Sequence, residues 1–424
     1  MSTLSSDAGA SQTSSRQIIP VLIGADLNCY HLARAFHEAY GVCSYALSRY
    51  PIGVTMHSKL IHFQQVLHLD TDEVFLQTMQ DFAKAHAADN SSLILMGCTD
   101  DYVNLIARHK DTLVQNYIVP YNDISLMNAF ASKARFYQSC DKHGISYPKT
   151  VIVPQKQVPS LEALQPQALG FSYPIIVKPA NSIVYWKHPF PQMHKVYTAQ
   201  TPQEAQQLVK TIVSSGYDDT IILQDMIPGR DSHMYVLTAY CNQNAKVTMM
   251  CLGHVLLEEH TPKGRGNHAA IITEYHLPLM EQFKRFLEDI HYVGFANFDI
   301  KYDTRDNTYR AFEINLRQGR SNYYVTAAGQ NVAKLVVDDY VFHKETTQTV
   351  FVNQEILWTC LPLGVVYKYT DDHVLVQRAK QLAHEHKYVN SLWYKEDLRG
   401  NLKRTAYIWA HEMKHYQKYK KYPE

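Results

Sequence analysis

One stretch constrains this chain more than any other: residues 294–321, GFANFDIKYDTRDNTYRAFEINLRQGRS. An apolar, aromatic-rich run delivers Asp299, the polar turn TRDN follows at 304–307, and a second strand-like run delivers Glu313 and Asn315. Two such runs around a polar turn predict a hairpin or a pair of adjacent strands. Side chains alternate along a strand, so Glu313 and Asn315 share a face. If the partner run turns Asp299 to that face, three hard oxygen donors converge. Such a set suits Mg²⁺, with water and phosphate completing its shell. Arg317, Arg320 and Ser321 follow at once, and guanidiniums meet carboxylate or phosphate oxygens with forked, charge-assisted bonds. Acids and arginines near a hairpin also occur as a plain solvated face. Apolar Ile314 and Leu316 weigh against that, because burying them forces the polar three to the opposite side together.

The rest of the chain bounds the setting. At 424 residues it is too long for one ordinary core, and two to four domains in one body are expected. A net charge of +1 offers no argument for nucleic acid as a partner. Seven cysteines without a CxxC predict reduced, mostly buried thiols in a cytoplasmic protein. No apolar run approaches membrane-span length. The Ser-rich lead, residues 1–17, is expected to be disordered.

Residues 18–24, IIPVLIG, read as a buried parallel strand, followed by the turn ADLNCY and a helix that Gly41 stops. A capped helix starts at DTDEVF, and LILM at 93–96 forms another buried strand. Strands alternating with helices predict a doubly wound α/β domain, with Gly24–Asn28 and Gly97–Asp101 at its crevice. Residues 125–143, carrying Lys133, read as helical. In YPIIVKPAN at 173–181, Lys178 ends a buried strand, a costly place for an ammonium without an anion, and phosphate is the natural candidate. Thr201-Pro202-Gln203-Glu204 is a capping box. TIILQDMIPGRDS at 220–232 gives a strand and a Pro-Gly turn, flanked by Gln224 and Asp231. TMMCLGHVLLEE at 248–259 is one long strand or a pair. HTPKGRGNH at 260–268 is a loop suited to anion contact, and 278–290 is an amphipathic helix.

Neither a P-loop, a GxGxxG after a strand, nor a GxSxG occurs. An HExxH does occur, His411-Glu412-Met413-Lys414-His415, and would allow a zinc hydrolase. Only Glu424 remains downstream as a third ligand, and Lys418, Lys420 and Lys421 would repel a dication, so a surface helix is expected. Its basic residues interleave with Tyr and Trp, a pattern that can touch anionic lipid at a membrane surface.

The order of the surviving features, together with the stretches IGADLNCYHLARAFHEAYG, YPKTVIV, KPANS, QDMIPGRDS, MMCLGH, GFANFDIKYD and FEINLRQGRS, resembles the ATP-grasp carboxylate–amine ligases over roughly residues 18–345. Within them it resembles the ligases that join D-aspartate to the stem-peptide lysine of a UDP-linked muramyl peptide in peptidoglycan synthesis. The resemblance implies an α/β (α+β) ATP-grasp fold: a doubly wound pre-ATP-grasp domain at 18–124, a central subdomain with lid at 125–225, a metal- and substrate-binding subdomain at 226–345, and a basic, aromatic extension at 346–424. It implies ATP and Mg²⁺ as cofactors. Lys133 and Lys178 would hold the ATP phosphates. Gln224, Asp225, Met226 and Ile227 would pair with adenine through their backbone, and Asp231 would hold the ribose. Asp299, Glu313 and Asn315 would bind Mg²⁺. Arg317, Arg320 and Ser321 would hold the acyl phosphate and the substrate carboxylate, and residues 180–190 and 260–268 would close over the nucleotide. Two places depart from the family pattern: ANSIVYWKHPF stands where many members have a Gly-rich loop, and Asn297 where many have arginine. A nucleotide-binding regulator without catalysis is the alternative from another class.

Overall fold

The architecture follows from where the apolar runs can be covered. The computed structural model describes residues 16–131, 133–262, 264–346 and 348–423, so residues 1–15 of the expected disordered lead lie outside the described residues. Four parallel strands, β1 (Gln17–Ile23), β2 (Ser44–Ser48), β3 (Ile61–Gln65) and β4 (Ser91–Gly97), form a sheet in the order β3-β2-β1-β4. The chain runs outward from β1 through β2 to β3, then returns to β4 on the other side of β1. Its crevice therefore opens between the carboxyl ends of β1 and β4, at Gly24–Asn28 and Gly97–Asp101 as expected. The first helix, Leu27–Tyr40, begins inside the expected turn, because Asp26 accepts a hydrogen bond from the Cys29 N–H. Gly41 ends it in the left-handed region at φ 67°, returning its N–H to the His37 carbonyl.

The second sheet is antiparallel, in the order β5-β8-β6-β7: β5 (Thr150–Val153), β6 (Ile175–Pro179), β7 (Tyr197–Ala199) and β8 (Ile221–Asp225). Helix Pro202–Ser214 packs on it. Thr201 accepts from the Glu204 N–H, while the Glu204 carboxylate reaches back to the N–H of Gln200, one residue before the usual target.

The third sheet has eight strands: β9 (Met234–Cys241), β10 (Val247–Glu258), β11 (His268–Glu274), β12 (Gly294–Asp303), β13 (Thr308–Asn315), β14 (Val350–Phe351), β15 (Leu357–Thr359) and β16 (Tyr388–Asn390). The long 248–259 run is one strand. On one face Met280, Phe283 and Phe286 of helix Leu277–Asp289 bury against Phe298, together with Phe136 of helix Lys133–His143. The other face looks toward the first domain.

Residues beyond 346 differ from the expectation. β15 and β16 extend the third sheet, and Trp358 is fully buried. Helix Leu402–Lys421 is not a plain surface helix: Arg404, Ile408, His415 and Tyr419 face inward, while Leu402, Trp409, Met413 and Tyr416 are exposed. Its inward face is built largely of polar residues that find partners far away in sequence. Arg404 Nε lies 3.1 Å from the Asp397 carboxylate, and both side chains are fully buried. Asp397 also accepts from the Tyr30 and Ser58 hydroxyls and the Lys59 N–H. The seven cysteines are free thiols, six of them buried. Among the described residues no helix is long and apolar enough to cross a membrane.

Candidate active site

The predicted hairpin forms, with TRDN as its turn and Asn307 in the left-handed conformation. In register, Asp299 stands opposite Glu313 and Asn297 opposite Asn315. All four therefore share one face. A bulge falls immediately beyond the acids, where Ile300 pairs with Ala311 and leaves Phe312 extra. The Asn315 amide N–H donates to Asp299 over 3.2 Å. Burial pushes the Asp299 carboxyl up to about 6, His268 opposes that rise, and the negative Glu313 adds to it. Lys133, in contrast, sits 2.6 Å from Glu313 and holds that carboxyl well below its usual range. Burial alone would lower the Lys133 ammonium, but Glu313 outweighs it and keeps the group above the ordinary lysine value.

Lys178 is placed differently. Its ammonium donates to Gln224 Oε1 over 2.8 Å. Burial, then the charge of Lys133, lowers its pKa to about 7 despite the pull of Glu313. Both lysines thus act in the field of the ledge formed by Asp299, Glu313 and Asn315. Lys195, which the sequence reading passed over, also bears on Glu313 and Lys178.

A metal's fit can be judged from this donor set. Two carboxylates face each other across one register, with an amide beside them, and the acid without a lysine is driven toward its neutral form. A cation would relieve that repulsion. Among the described residues no cluster of three or more His, Cys, Asp and Glu side chains can hold a metal alone. The ledge instead suits Mg²⁺, which takes one or two carboxylates and leaves positions for phosphate and water. Among the described residues the HExxH histidines have no third ligand, and Glu412 is spent on Asn390 and the Trp393 N–H; Glu424, the third ligand expected from sequence, lies outside the described residues.

Other predicted residues are brought near but are already engaged. Gln224 uses its side chain on Lys178, Tyr137 and Thr150. Asp225 accepts two bonds from Arg305, Met226 is partly exposed, and Ile227 is buried. Asp231 accepts from the Glu258 N–H and from His260. Arg317 forks onto Asp100, at the start of helix Asp100–Arg108. Its charge still acts on both Asp26 and Asp299. Arg320 donates to Glu259 over 2.7 Å, and Ser321 is buried.

The turn at 316–322 docks into the crevice of the first sheet. Gln318 donates to the Gly97 carbonyl, Asn322 to Asn28, and Asn28 to the Cys98 carbonyl. His31 lies 3.0 Å from the Arg320 carbonyl and must donate to it through Nδ1–H, since a carbonyl can only accept. Gly319 lies so close to Asn297 that an added Cβ would sit 2.8 Å from its amide nitrogen. The turn that follows the ledge thus meets the crevice that the sequence placed at the edge of the first sheet. Sequence reasoning placed Asp26 and Asp100 only within crevice segments, gave Glu259 no role, and read the helix Leu402–Lys421 with its HExxH as a surface helix; the fold brings all of them beside the turn.

No protein-family model matches the chain. It is 39% identical over 386 residues, 90% of this chain and 91% of the relative, to the D-aspartate ligase of Enterococcus faecium (strain Aus0004). Among solved structures it is similar to an N5-carboxyaminoimidazole ribonucleotide synthetase in complex with ADP, with TM-score 0.56, 12% identity and coverage of 94% of this chain and 98% of that one. It is also similar to the L-amino acid ligase from Bacillus licheniformis, with TM-score 0.52, 15% identity and coverage of 76% and 74%. At such identities the solved structures speak to the fold, which is the ATP-grasp fold.

Proposed function

The chain belongs to the D-aspartate ligase family of ATP-grasp carboxylate–amine ligases, and from that premise we propose that it joins D-aspartate to the stem-peptide lysine of a UDP-linked muramyl peptide. Its class, an ATP-dependent carboxylate–amine ligase, follows from the 39% identity over nine-tenths of the chain. The observation that carries the proposed site is the convergence of two partly buried lysines on a two-carboxylate ledge.

In this reading Lys133 and Lys178 meet the phosphate oxygens of ATP, and Lys133 shares its ammonium between phosphate and Glu313. Asp299, Glu313 and Asn315 would hold Mg²⁺, which supplies charge neutralisation among the phosphates. Backbone groups of Gln224–Ile227 take adenine, and Asp231 takes the ribose. The carboxylate of D-aspartate attacks the γ-phosphorus, the bond from that phosphorus to the bridging oxygen breaks, and ADP leaves an acyl phosphate behind. The chain's part is to position the reactants and spread charge with preorganised cations. Arg317, Arg320 and Ser321 steady the acyl phosphate and the substrate. The lysine amine of the peptide then attacks the acyl carbon. A C–N bond forms, the C–O bond to phosphate breaks, and the amine loses its proton. Acyl phosphates hydrolyse readily, so the segments at 180–190 and 260–268 close to keep water out.

The test is ADP release from ATP and Mg²⁺ across D- and L-amino acids, with and without the UDP-linked peptide. The expected result is turnover that needs D-aspartate and the peptide together. Turnover with a different acid changes the substrate and keeps the class. ATP binding without ADP release across the whole panel would favour the non-catalytic regulator instead.

A further inference from the structure

The crevice loop after β1 ends on an acid, Asp26, to which the proposed chemistry gives no part. With the 316–322 turn and the helix Leu402–Lys421 that loop bounds a cavity of about 150 Å³, far above the roughly 10–15 Å³ that admits one water. The polar lining is Asp26, Glu259, Arg320, His411, His415 and Lys418. Three of its side-chain nitrogens are buried without a hydrogen-bond partner: Arg320 Nη1, His411 Nδ1 and His415 Nδ1. His415 is 3% exposed. Buried polar groups are nearly always paired, so three orphans around one cavity point to a ligand.

The lining carries both signs of charge, and its two acids are not equivalent. Glu259 is taken by Arg320, 2.7 Å away. The Asp26 carboxylate accepts one bond, from the Cys29 N–H over 3.2 Å, and among the described residues no cationic side chain donates to it. Burial pushes the Asp26 carboxyl up, against the charges of Arg320 and Arg317. A bound cation relieves a carboxylate in that state. The helix supplies donors to the same cavity. The two histidine Nε2 atoms lie 3.4 Å apart, so one ring accepts there and, when neutral, donates through Nδ1. Burial lowers His411 to about 4 and His415 to about 2, so both rings are neutral near pH 7. A metal ion is disfavoured by Arg320 and Lys418 beside the histidines. What fits is a compact molecule that bears an ammonium as well as acidic oxygens. Asp26 and Asp299 both act on Arg317, so the cavity and the ledge share one electrostatic field.

We infer that this cavity holds the amino-acid substrate by its ammonium, and that Asp26 is the residue that receives it. The nitrogens of Arg320, His411, His415 and Lys418 face oxygens of the same molecule. This rests on the ligase reading of the site, and it names the group that makes the donor acid an amino acid. The assignment holds whichever carboxylate is activated, because D-aspartate has a single ammonium. Asp26 is a specificity determinant, since the group it binds takes no part in the bond that is made.

The experiment sets D-aspartate against succinate, which keeps both carboxylates and lacks the ammonium. The full-length chain is assayed by ADP release with ATP, Mg²⁺ and the UDP-linked peptide, giving KM for D-aspartate and the inhibition constant of succinate. In the wild-type chain succinate should bind more weakly than D-aspartate by roughly tenfold or more, as loss of a charge-assisted hydrogen bond implies. Asp26→Asn keeps an oxygen for the Cys29 N–H and removes the charge. It should raise KM for D-aspartate by that same factor, while the succinate constant does not rise and KM for ATP moves far less. A merely structural role, through the helix cap, would weaken both acids together. Lys418→Met, at a half-buried position in the same lining, should instead weaken both, because both carry carboxylates. If Asp26→Asn fails to fold by its thermal melt, the wild-type comparison and Lys418→Met decide. Succinate that binds the wild-type chain as tightly as D-aspartate overturns the inference, and so does a folded Asp26→Asn whose KM for D-aspartate is unchanged or whose succinate constant rises in step. Each of these leaves the ligase reading standing. A wild-type chain that releases no ADP with any amino acid overturns both.

Discussion

Two regions flank the 316–322 turn, the ledge on β12 and β13 and the helix Leu402–Lys421, and they differ in how they hold polar groups inside the protein. The ledge gathers its polar residues through strand alternation. Asn297, Asp299, Glu313 and Asn315 share a face because the register puts them there, while Phe298 and Ile314 are buried on the other face. The helix buries polar residues one at a time, against partners that range from one turn along to hundreds of positions away. Arg404 reaches Val54 and Asp397, and His415 meets His411. A local period can announce the first arrangement. The second exists only once the chain has folded.

The sharpest way to break this comparison is at the ledge. Glu313→Ala should remove turnover by at least ~10³-fold, since it takes away both a carboxylate of the ledge and the partner of Lys133. ADP release measures the loss, and circular dichroism checks that the fold survives. Retained activity would mean that the alternation of polar residues was only a solvated face.

The helix should respond in stability. Arg404→Ala leaves Asp397 buried with its charge uncompensated, and breaking such a pair costs about 3 kcal/mol or more. Denaturant unfolding reads this as a lower midpoint at unchanged slope. A loss below about 1 kcal/mol would make the C-terminal helix an appendage after all.

Between the two regions lies Arg320, on the turn they share. Arg320→Ala removes a charge-assisted bond to Glu259 and a free guanidinium nitrogen in the cavity. It should weaken amino-acid use by about 1.5–3 kcal/mol in kcat/KM, with a smaller effect on KM for ATP. Equal, modest losses here and at Glu313 would show that the site has been misplaced.

Much of this was legible before any coordinates. The run Glu-Ile-Asn-Leu-Arg announced its own faces, Gly24 and Gly97 marked the ends of strands, and Lys178 stood where a buried strand ends. Short, polar β2 and β3 were not legible, because SYALS and IHFQQ lack an apolar run and owe their place to the parallel neighbours that pair with them. Arg317, expected to hold the acyl phosphate and the substrate carboxylate, follows the strand end at Asn315, and its guanidinium forks onto Asp100. The HExxH stood out as a motif, yet its two histidines line a cavity with cations and, among the described residues, meet no third ligand. Its spacing was informative about which side of the helix turns inward, and not about zinc.

The smallest expected effect separates two lysines that the sequence treats alike. Lys133 is held charged by Glu313, whereas Lys178 rests on a neutral Gln224 and has a pKa near 7. A phosphate needs the ammonium form, so ATP binding should take up a proton at pH 8, and KM for ATP should rise by up to about tenfold per pH unit above 7. The unliganded fold should move the other way. Unfolded Lys178 keeps its proton up to the ordinary lysine range near 10.4 while the folded one loses it near 7, so the cost of burying the charge is present in full below 7 and fades as pH rises between those values. Alkali should therefore weaken ATP binding and, through this residue, strengthen the empty protein. Lys178→Met should flatten both trends. If the KM profile of the wild-type chain is already flat from pH 7 to 9, Lys178 does not carry the phosphate, and Lys133 and Lys195 must hold it between them.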